Sequence, residues 1–154
     1  MELYFNVIIF SICSFAVFSC PNGWSTHNSS CYLFSHDTED WANAVTLCQI
    51  FGGHLVEIDD DIENQYIVAQ AKLYNKVFWI GLNDIQEENS WVWVNSQDPV
   101  KYTNWAPNQP DNGGQNENCV HLYPGFNYTW NDYQCHKFNN YICEKTAESA
   151  VIIG

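Results

Sequence analysis

Val77-Phe78-Trp79-Ile80-Gly81-Leu82 is an apolar run, rich in β-branched and aromatic residues and broken only by a glycine. It is too short for an amphipathic helix and reads as a buried strand. Downstream, Trp91-Val92-Trp93-Val94, Cys119-Val120-His121-Leu122, Thr129-Trp130 and Asn140-Tyr141-Ile142-Cys143 repeat the pattern. Upstream the period changes. Trp41, Ala44, Val45 and Cys48 recur at helical spacing, so Asp37 to Phe51 reads as a helix, with Thr38 as N-cap and Gly52-Gly53 as its stop. A second helix starts at Asp60 or Asp61, where capping and the helix dipole favour carboxylates. Ile62, Tyr66, Ala69 and Leu73 give it an apolar stripe. His54 to Ile58 alternates like a strand, and Cys20 to Phe34 reads as a hairpin with a turn at Pro21-Asn22-Gly23. Helices first and strands after is the order of an α+β domain.

One segment does not fit either period. Lys101 to Glu117 is long and full of Asn, Gly, Pro and Gln. Loops of that length inside a compact domain are usually functional or disordered. The chain has 154 residues, enough for one domain. Seven Trp, nine Tyr and nine Phe supply a core. Five basic residues stand against eighteen carboxylates, for a net charge of −13. That balance excludes nucleic acid or an anionic membrane as the main partner, because both demand basic patches. It suits a protein that binds cations, but on charge alone a solvated acidic surface that aids solubility is the favoured reading.

The N-terminus is separate in character. From Val7 to Phe18 the chain is apolar and uncharged, too short for a comfortable membrane span, with small residues before Cys20. This reads as a secretory signal peptide over residues 1–19, although Glu2 stands where such leaders usually carry a base. One domain over residues 20–145 and a frayed tail over 146–154 follow, and the location is extracellular. Of seven Cys, Cys13 leaves with the leader. Cys20, Cys31, Cys48, Cys119, Cys135 and Cys143 remain, an even number that predicts disulfides in an oxidising compartment. No pair has zinc-ligand spacing. Asn28-Ser29-Ser30 and Asn127-Tyr128-Thr129 are sequons for N-glycosylation.

The polar side chains that could carry chemistry gather in Gln109-Pro110-Asp111, Glu117 and Asn131-Asp132. All offer oxygen and none is soft, which suits calcium or magnesium. Such a set leaves coordination positions open for a ligand hydroxyl. Pro110 in the cis form would aim Gln109 and Asp111 at one point. Asp59-Asp60-Asp61 reads as helix capping rather than a metal site. Trp79, Trp91, Trp93 and Trp105 read as core, and His121 as a packed strand residue.

In order along the chain stand Cys20-Pro21-Asn22-Gly23-Trp24, Cys31-Tyr32, Trp41-Ala42-Asn43-Ala44, Cys48 and Phe51-Gly52-Gly53-His54-Leu55. Then come Trp79-Ile80-Gly81-Leu82, Trp91-Val92-Trp93, Asn104-Trp105, Gln109-Pro110-Asp111, Glu117-Asn118-Cys119, Trp130-Asn131-Asp132, Cys135 and Cys143-Glu144. With these motifs the chain resembles the C-type lectin-like domain family in its long form, over everything but the leader and tail. The resemblance implies two helices, small antiparallel sheets and a long calcium-binding loop region. It implies the pairings Cys20–Cys31, Cys48–Cys143 and Cys119–Cys135. It implies a primary calcium site of Gln109, Asp111, Glu117, Asn131 and Asp132 with Pro110 cis, at which two vicinal sugar hydroxyls complete the ion's shell and bond to the same side chains. Asp84, Glu88, Asn112 and Asn118 match an auxiliary calcium site, with amides where carboxylates are common.

Gln-Pro-Asp looks like the family's galactose-type signature, while Glu-Pro-Asn goes with mannose. Strong galactose binders usually add an aromatic ring shortly after the motif. Here Asn112-Gly113-Gly114 follows instead, leaving Tyr123, Phe126 or Tyr128 as substitutes. The expected function is a secreted, calcium-dependent lectin acting in glycan recognition, agglutination or innate defence. The alternative is a lectin-fold structural protein that binds mineral or ice. A single small contact binds weakly, so avidity calls for homo-oligomers, yet no coiled coil or spare Cys is evident. Neither a His-Glu-x-x-His helix nor a Gly-x-Ser-x-Gly elbow is present, and the resemblance implies no enzyme.

Overall fold

The computed structural model describes residues 15–152. Strands β1 (Phe15–Ser19), β2 (Ser25–His27) and β3 (Ser30–Phe34) precede helix α1 (Trp41–Ile50). Strand β4 (His54–Leu55) and helix α2 (Asp61–Tyr74) follow. The second half is β-rich: β5 (Phe78–Asn83), β6 (Val92–Trp93), β7 (Cys119–Leu122), β8 (Trp130–Tyr133), β9 (Asn140–Thr146) and β10 (Glu148–Ile152). The class is α+β, as the residue pattern predicts. Apart from β1 and β10, which pair only with each other, the strands link into one path, β2-β3-β9-β5-β7-β8, with β4 on β9 and β6 on β5. Every pairing in it is antiparallel except β5 with β9. No helix among the described residues is long and apolar enough to cross a membrane.

Strand β5 is buried along its whole length, as its unbroken apolar run requires. The core divides around it. Phe78, Ile80 and Leu82 pack with Val120, Leu122, Trp130 and Ile142 on one side. Trp79 joins Trp41, Leu55 and Tyr141 on the other. All three pairings implied by the family resemblance are present: Cys20–Cys31, Cys48–Cys143 and Cys119–Cys135. The second ties α1 to β9, and the third ties the start of β7 to the segment after β8.

Both helices differ in detail from the sequence reading. α1 starts at Trp41 with Asp40 as N-cap, not Thr38; Asp40 Oδ1 accepts the Asn43 N–H at 2.8 Å. The residues just before it are committed elsewhere. Glu39 and Asn139 exchange two main-chain hydrogen bonds, and Trp79 Nε1 donates to the Glu39 carbonyl at 3.0 Å. A bridged, extended segment cannot also be the first turn of a helix. α2 begins as predicted, with Asp60 capping the Glu63 N–H at 2.8 Å. Its buried stripe, however, is Asn64, Ile67 and Ala71. Ile62 and Leu73 are 64% and 77% exposed, so the expected stripe faces largely outward. The reason is a polar core residue. Asn64 Oδ1 accepts from Trp130 Nε1 at 3.2 Å, which turns Asn64 inward and rotates the helix away from the simple apolar reading.

The C-terminus also differs. Thr146 completes β9, and Ala147 is buried with its N–H bonded to the Ser29 carbonyl at 2.8 Å. Glu148–Ile152 is extended and pairs antiparallel with Phe15–Ser19, the last five residues of the expected leader, so the pairing belongs to the chain that still carries residues 1–19. Chain that finds main-chain partners stays extended, because its N–H and C=O groups are satisfied along the ladder. Residues 1–14, with most of the expected leader and Cys13, lie outside the described residues.

Candidate cation and ligand site

Two strands and one loop build the site. β7 and β8 pair antiparallel, with His121 opposite Asn131 and Val120 opposite Asp132. Trp130, just before these two polar residues, is fully buried and edge-on to Trp93, Tyr102 and Trp105. Replacing such an anchor by alanine costs about 3–5 kcal/mol. The loop is zipped onto the same strand. Trp130 N–H donates to the Asn104 carbonyl and Ala106 N–H to the Trp130 carbonyl, each at 2.8 Å. The loop therefore leaves its anchor three residues before Gln109.

The Gln109–Pro110 peptide bond is cis. Beyond it the loop closes on Asp132, which is wholly buried. Asp132 accepts the backbone N–H of Asp111 at 3.2 Å on one oxygen and that of Asn112 at 2.7 Å on the other. Glu117 closes the next turn by accepting the Gly113 N–H at 2.9 Å, and its own N–H donates to Asn112 Oδ1 at 3.0 Å. A Cβ on Gly113 would sit 2.9 Å from Glu117 Oε2, so any larger residue has to displace that carboxylate. Carboxylate oxygens of Asp111, Glu117 and Asp132 all come within 4.8 Å of one another.

The electrostatics follow from that crowding. Burial raises the pKa values of Glu117 and Asp132, and the neighbouring carboxylates raise them further. The side-chain oxygen of Gln109 is buried without a partner. Asn131 Nδ2 donates to the Asp132 carbonyl at 2.5 Å and meets His121 Nε2 at 3.1 Å. Burial pushes His121 down to about 3, so the ring is neutral. Asn139 Nδ2 lies 3.4 Å from the other ring nitrogen, Nδ1, and Asn131 lines the cavity. An all-oxygen set with an orphaned amide oxygen and crowded carboxylates fits a hard divalent cation such as calcium. Gln109, Asp111, Glu117 and Asn131 line one cavity of about 430 Å³. Tyr123 and Phe126 stand on its wall, whereas Tyr128 is turned into the core.

The four auxiliary residues are linked less directly. Asp84 N–H donates to the Asn118 carbonyl at 3.1 Å, and Asn112 Nδ2 donates to Glu88 Oε2 at 2.6 Å. Asp84 is buried, with Oδ2 accepting the Asn89 N–H at 2.8 Å and Oδ1 unpartnered. Burial first, then Glu88 and Asp132, raise its pKa. Two residues that support the site were not singled out for it in the sequence. Gly113 looks like any loop glycine, and His121 like any strand residue; their roles depend on partners distant in sequence. Asn28 and Asn127 are both exposed, with φ of 52° and 54°, at turns.

The comparisons with known proteins agree with this architecture. The family described as Lectin C-type domain matches residues 37–145. A perlucin-like protein of Mytilus galloprovincialis is 39% identical, over 81% of this chain and 82% of its own length. The carbohydrate-recognition domain of the mouse scavenger receptor C-type lectin superposes with a TM-score of 0.80 at 37% identity, covering 84% of this chain and 100% of that one. A calcium-independent type II antifreeze protein superposes with a TM-score of 0.77 at 28% identity, covering 86% of this chain and 98% of that one. The family is one of carbohydrate-binding rather than catalytic domains, and with its matched span, its three disulfides and its loop held on the Trp130 strand, this chain belongs to the C-type lectin domain family.

Proposed function

We propose that the protein is a secreted lectin that binds glycans through a calcium ion held by Gln109, Asp111, Glu117, Asn131 and Asp132. The observation that carries this reading is the pairing of three convergent carboxylates with the orphaned Gln109 oxygen at one open cavity. Left without a cation, the cluster combines like-charge repulsion with an unsatisfied buried acceptor, and both costs vanish on binding. The ion supplies a Lewis-acidic centre for vicinal hydroxyls. Gln109, Asp111, Glu117 and Asn131 then present mixed donors and acceptors that orient the sugar. Gln109-Pro110-Asp111 gives the site galactose-type preference in this reading. Asp84, Glu88, Asn112 and Asn118 hold a weaker auxiliary ion, since fewer carboxylates mean lower affinity. The leader over residues 1–19 directs secretion, and exposed Asn28 and Asn127 accept N-glycans. Glycan recognition, including innate defence, is the role this chemistry serves, with avidity from homo-oligomers.

A second reading has its own support. The likeness to an antifreeze protein and the net charge of −13 suit a matrix protein that binds an ice or mineral surface without sugar. Affinity chromatography separates the two. The secreted protein is passed over galactose and mannose resins in calcium and then in EDTA. Retention on galactose and release by EDTA is the expected result. Retention on mannose alone keeps the lectin and removes the galactose preference. Absence of retention on both, and of binding across a glycan array, favours the surface-binding reading.

A further inference from the structure

The chain has two Asn-Gly pairs, Asn22-Gly23 and Asn112-Gly113. A glycine after asparagine presents its amide nitrogen with no side chain to screen it, the arrangement most open to attack on the asparagine's own Cγ. The two pairs sit in opposite surroundings. Asn22-Gly23 is exposed, in a turn closed by the Trp24 N–H on the Pro21 carbonyl at 3.0 Å. Asn112-Gly113 is half-buried beside the acidic cluster. The Asn112 N–H donates to Asp132 at 2.7 Å, and Asn112 Nδ2 donates to Glu88 Oε2 at 2.6 Å. The Gly113 N–H donates to Glu117 Oε2 at 2.9 Å, while Asn112 Oδ1 accepts the Glu117 N–H at 3.0 Å. These bonds hold Asn112 in the left-handed region, at φ 45° and ψ 51°, where a side chain is ordinarily disfavoured.

The same bonds lock the groups that would react. The nucleophile is the Gly113 nitrogen, and its N–H is committed to Glu117. The electrophile is Asn112 Cγ, and both atoms of its amide are committed. Ring closure requires all of them to be released, which happens only when the loop opens. An opened loop carries Asp111 and Glu117 away from Asp132 and cannot hold the ion.

We propose that Asn112 is a site of spontaneous deamidation, guarded by the bound cation, whose conversion disables the loop for good. This rests on the cation reading above. In the opened loop the Gly113 nitrogen bonds to Asn112 Cγ. The Cγ–Nδ2 bond breaks, and the Gly113 proton leaves with Nδ2 as ammonia, giving a five-membered cyclic imide. Water then opens the imide at either carbonyl, to aspartate or to isoaspartate at position 112. Both products replace the amide donor that faces Glu88 with a carboxylate. Isoaspartate also inserts a carbon into the main chain between the N–H groups held by Asp132 and Glu117, so the two bonds cannot both be kept. A chain left without its ion therefore ages into a form that rebinds the ion poorly.

The test incubates the full secreted chain at neutral pH in EDTA and across a series of calcium concentrations, in water labelled with heavy oxygen. Peptide mass spectrometry follows both Asn-Gly pairs, and calorimetry on fresh protein gives the Kd for calcium. Only the opened, ion-free loop reacts. The Asn112 rate should therefore fall by a factor of one plus the ratio of free calcium to Kd, about tenfold when that ratio is about ten. Asn22 should convert at one rate throughout. Protein aged in EDTA until isoaspartate predominates at position 112 should rebind calcium about tenfold more weakly. An Asn112 that stays intact in EDTA while Asn22 converts overturns the proposal. Rates at Asn112 that calcium leaves unchanged overturn it too, as does an aged chain that rebinds calcium like fresh protein. Fresh protein that binds no calcium overturns the cation reading and the guard with it, while the EDTA arm still decides against Asn22 whether Asn112 converts.

Discussion

Asn112 donates its backbone N–H to the Asp132 carboxylate at 2.7 Å across 20 residues of sequence. Asp132 is thus both a member of the acidic cluster and the peg on which the loop hangs. Asp132→Asn keeps the shape but puts an amide donor against one of two backbone N–H groups. A loss of about 100-fold in calcium affinity is expected, beyond the effect of one lost charge, because the loop also loosens. Calorimetric titration with calcium alone checks this. An affinity within a factor of two of wild type would place the ion elsewhere.

The raised pKa values of Glu117 and Asp132 set the direction of the pH response. Calcium binds the ionised carboxylates, so protons compete with it. Affinity is full at neutral pH and falls as pH drops through the raised values, about tenfold per pH unit for each proton taken up. His121 does not contribute, since burial keeps it neutral down to about 3. Titrations between pH 7 and pH 4 at fixed ionic strength should therefore give the same curve for His121→Phe as for wild type, offset by weaker binding from the lost Asn131 contact.

Gly113 tests the loop closure alone. Its φ is not left-handed, so alanine is acceptable to the backbone; the obstacle is the Glu117 carboxylate. Gly113→Ala must push Glu117 aside and lengthen its 2.9 Å bond to the Gly113 N–H. About tenfold weaker calcium binding is expected, with little change in Tm measured in EDTA. A large fall in Tm would instead assign Gly113 to the fold.

Much of this was readable from residues alone where partners are local or covalent. Asp60 is legible as an N-cap because the bond it makes spans three residues. The apolar run of β5 is legible because burial on both faces leaves no polar position. Gln109, Asp111 and Glu117 stand out because an oxygen-only set in a loop has few other uses. Asn64 could not be read as a core residue, since its partner Trp130 lies 66 residues away. The start of α1 was hidden for the same reason: Glu39 is held by Asn139, not by its neighbours. The pairing of Phe15–Ser19 with Glu148–Ile152 joins the end of the expected leader to the C-terminal strand, and no local pattern announces it.

Glu144 gives a stability prediction away from the site. It accepts from Ser30 Oγ at 2.8 Å, and burial, then the nearby Glu63, pushes its pKa up to about 7. The folded state thus holds this proton more tightly than the unfolded chain. Its contribution is fully present below the ordinary value near 4.5 and is lost as pH rises through about 7. Glu144→Gln mimics the protonated form. In EDTA its Tm should exceed that of wild type at pH 8 by about 2–4 °C and match it at pH 4.5. A pH-independent difference would mean that packing, not ionisation, separates the two.

Gln109 and Asp111 flank the cis bond, and exchanging their chemistry tests the preference with the least disturbance. Gln109→Glu with Asp111→Asn preserves one carboxylate and one amide, so the net charge and the number of oxygen donors stay constant. Only the order of donor and acceptor around the ion reverses. The Asp111 backbone N–H still reaches Asp132 Oδ1, because that bond uses the main chain. Calcium affinity should therefore change by less than about threefold, while the ratio of galactoside to mannoside affinity inverts by about tenfold or more. Competitive elution from both resins measures the ratio directly. An unchanged ratio with calcium binding intact would mean that the walls of the cavity, Tyr123 and Phe126 foremost, and not the donor order, choose the sugar.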